Sequence, residues 1–262
     1  KEARDYGLDR SKGILLVGWP GCGKTLFAAE CARTLDMELL RLDMGRLFGG
    51  LVGETEANFR KVKQRVNACG NTVLLIDEVE KGMAGAGGSG ANDSGVTKRL
   101  GGAILSWMQE QESTFVVATC NDAASLPPEY TRKGRYDEIF FVDLPDPAER
   151  AEIVAIHLQK RKRDPTKFES PEVIAATEGF SGAEIEAVIK DAMHEGFGDG
   201  REFTTEDLIA AAKRTVPLSI TRSEDLHRLR VWAKDRARPA SRQPEKPKSG
   251  NGHSVAVHRV KE

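Results

Sequence analysis

Gly18-x-x-x-x-Gly23-Lys24-Thr25 follows directly on an apolar run at 14–17, and these residue types at this spacing suit one kind of chemistry. Glycines let backbone N–H groups turn inward around phosphate oxygens, and the helix that follows presents its positive N-terminal end to the same anion. The stretch Gly18, Trp19, Pro20, Gly21, Cys22, Gly23, Lys24, Thr25 and Leu26 therefore reads as a nucleotide-phosphate loop, with Lys24 on the β- and γ-phosphates and Thr25 ligating Mg²⁺. A second apolar run at 73–76 ends in Asp77-Glu78. Asp77 suits Mg²⁺ through water, and Glu78 suits the orientation and deprotonation of an attacking water. A buried strand ending in a solvated acidic turn would show the same letters; the phosphate loop upstream weighs against it. The run at 115–119 leads to Asn121, a polar amide placed to help Glu78 hold that water. Arg132 and Arg135 come next, in RKGRYD. Two surface arginines are ordinary salt-bridge formers. In this context they read as fingers: guanidinium groups stabilise charge on a transferring phosphoryl group, and supplying one from a neighbouring copy makes hydrolysis depend on assembly.

These residues need a scaffold, and its outline is legible. Five apolar runs of strand length, 14–17, 39–43, 73–76, 115–119 and 139–142, are separated by helix-length segments. One of these, 56–69, places Phe59, Val62, Val66 and Cys69 in a helical stripe. Alternation of helices with strands apolar throughout implies a parallel sheet covered on both faces. After Asp146 the strand signal gives way to helix starts: Asp146-Pro147, Ser170-Pro171, Ser181-Gly182-Ala183-Glu184, Thr204 and Ser223. The expected fold is α/β, a P-loop NTPase core with a five-stranded parallel sheet over 1–146. A small all-helical lid domain with a C-terminal helix follows over 147–238. Residues 239–262, rich in Pro, Ser, Gly and basic side chains, read as a disordered tail whose charge is solvated rather than bound to RNA, DNA or an acidic partner.

Composition narrows the classes further. A net charge of -1 over 262 residues gives no general case for nucleic-acid binding. Cys22, Cys31, Cys69 and Cys120 show neither zinc spacing nor a disulfide frame, which fits a reduced compartment. No apolar run approaches the roughly twenty residues of a membrane span. The expectation is a cytoplasmic protein, or one in the equivalent compartment of a plastid or an infected cell. The start at Lys1 leads us to expect a segment upstream.

Five motifs in order, GWPGCGKT, LVGETE, VLLIDE, ATCN with RKGRYD, and GFSGAE, resemble the AAA+ superfamily and its narrow AAA subgroup over about residues 13–215. The resemblance implies an ATPase that uses Mg²⁺ and assembles into a ring of its own copies, a hexamer, acting on a protein substrate. It casts Arg132 and Arg135 as paired arginine fingers and Asn121 as the first sensor. Gly182 and Ala183 become the lid contact to the adenosine end, and Glu184 stands where the subgroup usually shows Asp. RLDMGRLFGGLVGETEANFR, IDEVEKGMAGAGGSG and the ending VPLSITRSEDLHRLRVWAKDRAR are similar to the plastid-encoded and cyanobacterial AAA ATPases of unassigned reading frames and their bacterial and viral relatives.

Several departures matter. Where translocating relatives place an aromatic in the first pore loop, this chain has Leu51, followed by Val52 and Gly53. Leucine offers an extended polypeptide less area and no ring. The favoured expectation is a gentle remodeller that partly threads its substrate; a nucleotide-gated switch or scaffold without threading is the alternative, and packing of Leu51 on its own subunit remains open. Trp19 either packs near the nucleotide or covers the sheet edge. Cys22, at a helix N-terminus, is either a thiol of lowered pKa open to redox control or simply a small residue that fits. The glycine-rich stretch at 82–95 reads equally as a connector or as a contact with substrate or neighbour. A DNA-directed motor is disfavoured by the charge and the lid type.

Overall fold

A computed structural model describes residues 5–7, 10–44, 47, 54–81, 93–111, 113–132 and 134–241. The strands are β1 (Gly13–Gly18), β2 (Glu38–Asp43), β3 (Thr72–Asp77), β4 (Thr114–Cys120), β5 (Glu138–Val142) and β6 (Arg238–Pro239). The helices are α1 (Lys24–Thr34), α2 (Glu54–Cys69), α3 (Asp93–Glu110), α4 (Pro147–Lys160), α5 (Pro171–Ala176), α6 (Gly182–Gly198), α7 (Thr205–Arg214), α8 (Leu218–Thr221) and α9 (Ser223–Lys234). Leu51, Val52 and Gly53, the stretch 82–92 and the tail from 242 lie outside the described residues.

The strands form one parallel sheet in the order β2-β3-β4-β1-β5-β6, which sets the phosphate-loop strand β1 between β4 and β5. Period-two alternation sorts its side chains. Leu15, Val17, Leu74, Ile76, Val116 and Ala118 enter one core; Ile14, Leu16, Val73, Leu75 and Val117 enter the other. The first face is covered by α2 and α3, where the Phe59 and Trp107 rings meet edge to face at 5.7 Å. The second is covered by α1 through Ala28 and Ala32, whose small side chains let the helix lie close to the strands. Burial on both faces explains why these strands are apolar throughout.

The helices α4 to α7 hold a separate core around Leu158, Ile185, Ile189 and Leu208. Their starts obey capping chemistry: Asp146, Ser181 and Thr204 each complete a capping box, and Ser170 accepts the Glu172 N–H. α9 begins at Ser223 without a side-chain cap.

Two expectations are corrected. The sheet has six strands, because the chain returns after the lid and pairs Arg238 with Phe140 and Pro239 with Phe141. A two-residue edge strand with an arginine and a proline carries no apolar run, and an edge is where proline is tolerated. Residues 239–241 therefore leave the expected tail. The C-terminal helix also departs from the lid: α9 buries Leu226 and Leu229 in the core of the α/β domain. An amphipathic stripe shows that a helix is buried, not which body it is buried against. Among the described residues no helix is long and apolar enough to cross a membrane.

Candidate nucleotide site

The phosphate loop, Asp77-Glu78 and Asn121 meet at the carboxyl ends of β1, β3 and β4, the edge where open parallel sheets bind ligands. Local geometry dictates the glycines. A Cβ at Gly18 would lie 2.0 Å from the Val142 carbonyl oxygen, and Gly21 holds φ +78°. The Lys24 ammonium is buried and donates to the carbonyl oxygens of Gly18 at 2.8 Å and Trp19 at 2.7 Å. Burial draws its pKa below the usual lysine value, with Glu80 and Asp77 among the groups opposing the shift.

Asp77 is the hub. Its Oδ1 accepts from the Thr25 hydroxyl at 3.2 Å and from the Thr119 hydroxyl at 2.6 Å, while its Oδ2 meets Arg41 Nη2 at 2.7 Å. The Thr119 oxygen also accepts the Glu78 N–H at 2.9 Å, so one hydroxyl links the two acids. Glu78 sits at φ 52°, a left-handed conformation that costs a non-glycine residue about 1–3 kcal/mol and turns it away from the strand direction. Its Oε1 accepts from Asn121 Nδ2 at 3.0 Å and its Oε2 meets Lys81 Nζ at 2.5 Å. The Asn121 N–H donates in turn to Oε1 of buried Glu80 at 3.0 Å, and burial pushes the Glu80 carboxyl up. Thr119, Arg41 and Glu80 were not singled out from sequence. The signal that was available is their polarity inside or beside apolar strands.

Above the loop lies a cleft of about 760 Å³ shared with the lid. Gly182 and Ala183 line it, and the Ala183 N–H donates to the Gly21 carbonyl oxygen at 3.1 Å. A Cβ on Gly21 would come within 2.9 Å of both Ala183 Cβ and Ser181 Oγ. Gly21→Ala is thus expected to separate lid from loop and weaken ADP binding by about tenfold in calorimetry, the strain and the lost contact together being worth about 1–2 kcal/mol. Unchanged affinity would show that the contact contributes nothing to binding. On the lid side Glu186 receives Arg161 at 2.7 Å and Lys190 at 3.1 Å, which hold its carboxyl well below the usual range; burial lowers the pKa of neighbouring His157.

The other sequence-derived candidates divide. Pro20, Gly21, Cys22, Gly23, Lys24, Thr25 and Leu26 line the cleft. Gly18 and Trp19 serve through their carbonyls; the Trp19 ring is buried in the sheet core with the Arg222 guanidinium 5.9 Å from its centre, away from the cleft. Burial pushes the Cys22 thiol up to about 12 despite Lys24 nearby, which goes against the alternative of a lowered pKa and fits the reading of a small residue: desolvation outweighs the helix end and the lysine charge. Arg132 and Arg135 are not at this cleft. They share a turn closed by the Arg135 N–H on the Arg132 carbonyl at 3.3 Å, which leads into Asp137, whose Oδ2 accepts the Lys12 and Gly13 N–H groups at 2.7 and 2.9 Å at the amino end of β1.

The donor set suits a nucleoside triphosphate with Mg²⁺. A buried ammonium lies under a glycine loop, and a hydroxyl with a carboxylate 3.2 Å away offers the hard oxygens that Mg²⁺ takes alongside substrate phosphates.

The fold and site define a class. The sequence pattern of the ATPase family associated with various cellular activities matches residues 14–144, and that of the AAA+ lid domain matches 169–215; the chain belongs to the AAA family. It is 46% identical over 235 residues to the ycf46 AAA domain-containing protein of Guillardia theta, 89% of this chain and 46% of that one. With the ycf46 protein of Pyropia yezoensis it is 46% identical over 244 residues, 92% and 49% of the two chains. The chain thus spans about half the length of these relatives. It is 31% identical over 215 residues to the proteasome-activating nucleotidase of Aeropyrum pernix, 80% and 52% of the two chains. The crystal structure of the FIGL-1 AAA domain superposes with a TM-score of 0.73 at 21% identity, covering 90% of this chain and 82% of that one, which supports the fold.

Proposed function

We propose that this chain is the motor of a ring, a hexamer of its own copies, that hydrolyses ATP and uses the cycle to remodel a protein substrate. The observation that carries the reading is the pairing of Glu78 with Asn121 at 3.0 Å beside the Thr25–Asp77 pair at 3.2 Å, both opening on the same cleft. Lys24 would hold the β- and γ-phosphates, and Thr25 with Asp77, through water, would hold Mg²⁺. A Mg²⁺ held there would supply charge neutralisation to the phosphates. Glu78 takes the proton of the attacking water, and Asn121 fixes the carboxylate that does so. Arg132 and Arg135 act in the cleft of the adjacent copy. Gly182 and Ala183, the first residues of lid helix α6, contact the adenosine end and so couple its presence to the lid.

The relative named a proteasome-activating nucleotidase supports a protein as the substrate class. Leu51, Val52 and Gly53 are the segment we assign to the pore. The test is steady-state ATP turnover with and without a permanently unfolded protein, with particle size followed in the same samples. ATP-dependent assembly with turnover raised severalfold by the unfolded protein is expected. Assembly with turnover indifferent to it would replace the remodeller with a nucleotide-gated scaffold.

A further inference from the structure

The chain returns to the nucleotide cleft after the lid. Because β6 runs parallel to β5, its carboxyl end arrives at the same edge of the sheet as the phosphate loop, and the two residues that follow, Ala240 and Ser241, line the cleft. This return is held firmly. The Ala240 N–H donates to the Phe141 carbonyl oxygen at 2.8 Å, and Arg238 Nε meets Glu138 at 2.8 Å. From α9, Arg230 grips Asp143 through Nε at 2.9 Å and Nη2 at 3.0 Å, and Asp143 is itself a cleft residue.

Strand order says which part of a nucleotide meets these residues. Glu78 and Asn121 follow β3 and β4, on one side of β1; β5 and β6 lie on the other. A triphosphate on the loop with its γ end toward Glu78 directs its nucleoside toward β5 and β6. Neighbouring strands are about 4.8 Å apart, so β6 stands about 10 Å from β1, the distance at which a base and ribose leave the phosphates. Ile153 and Ile156 of α4 line the same cleft, apolar surface suited to a purine face.

We propose that Ala240 and Ser241 form a wall of the nucleoside subsite, so that the C-terminal return through α9 and β6 is part of the nucleotide site rather than an appendage to it. The proposal rests on the nucleotide reading of the cleft. Calorimetry with Mg²⁺ on the full chain, comparing ADP with inorganic pyrophosphate, tests both. Ala240→Pro removes the N–H bonded to Phe141 and should weaken ADP by about tenfold while leaving pyrophosphate within about twofold. A chain ending at Ala237 should show the same selective loss, and one ending at Ser241 should bind both ligands as the full chain does. ADP affinity unchanged in both Ala240→Pro and the chain ending at Ala237 overturns the wall. So does a parallel loss of pyrophosphate, which would place the effect in the phosphate loop. A full chain that binds neither ligand overturns the nucleotide reading itself.

Discussion

Arg135→Ala is expected to bind nucleotide as the unaltered protein does and to lose about 10³-fold or more in turnover, the scale on which arginine fingers act. The argument is one of reach. Arg135 lies in the turn closed by its own N–H to the Arg132 carbonyl at 3.3 Å, next to Asp137 at the amino end of β1. The phosphate loop starts at the other end of that six-residue strand, about 20 Å away and farther than an arginine side chain extends. On the proposed ring, a catalytic role for Arg135 would therefore be played in another copy's cleft. Mixing supplies the decisive measurement. Arg135→Ala and Lys24→Ala should each be nearly inactive alone, yet regain turnover when combined, because a cleft with intact Lys24 then meets a neighbour with intact Arg135. A mixture as dead as its components, or Arg135→Ala as active as the parent, would refute the shared site.

Glu78→Gln should lower turnover by about 10²–10⁴-fold with nucleotide affinity unchanged. Glutamine keeps the length of the side chain and a carbonyl oxygen for Asn121 Nδ2, so the 3.0 Å contact that sets its position can persist. Basicity is lost, and with it the ion pair to Lys81. Single-turnover hydrolysis measured beside calorimetry separates the two effects. Ordinary turnover in this variant would end the assignment of Glu78 as base, and a joint loss of affinity would show that it had served binding.

Much of this site was legible in the sequence, because the strands that carry it are buried on both faces and so stand out as apolar runs ending in polar residues. Val73 to Ile76 followed by Asp77-Glu78 is the clearest case. Other features turned on three-dimensional neighbours. Trp19 allowed a place by the nucleotide or over the sheet edge, and the approach of Arg222 and the core residues puts its ring in neither but in the core beside the interior strand β1. Cys22 shows a general rule failing locally: a helix N-terminus and a lysine favour a thiolate, but enclosure under the lid disfavours it more. Thr119 merely ends the run at 115–119 in the sequence, yet its hydroxyl joins Asp77 to the Glu78 backbone. β6 was illegible for a simpler reason: two edge residues bury too little to leave a pattern.

The return of the chain to the sheet has a mechanical consequence. The lid leaves the sheet after Val142 and rejoins it at Arg238, so in topology it is an insertion between two adjacent strands, not a terminal appendage. On the outgoing side the Asp143 carboxylate is gripped by Arg230; on the incoming side the Glu184 carboxylate holds the Leu218 N–H at 2.7 Å. A body whose chain joins its base at two points keeps one easy rotation about the line between them once the Ala183–Gly21 contact across the cleft opens. On the proposed cycle the helices α4 to α7 would turn like a door on two pins, and any torque developed over the nucleotide would be delivered about one axis instead of being lost in the slack of a single tether.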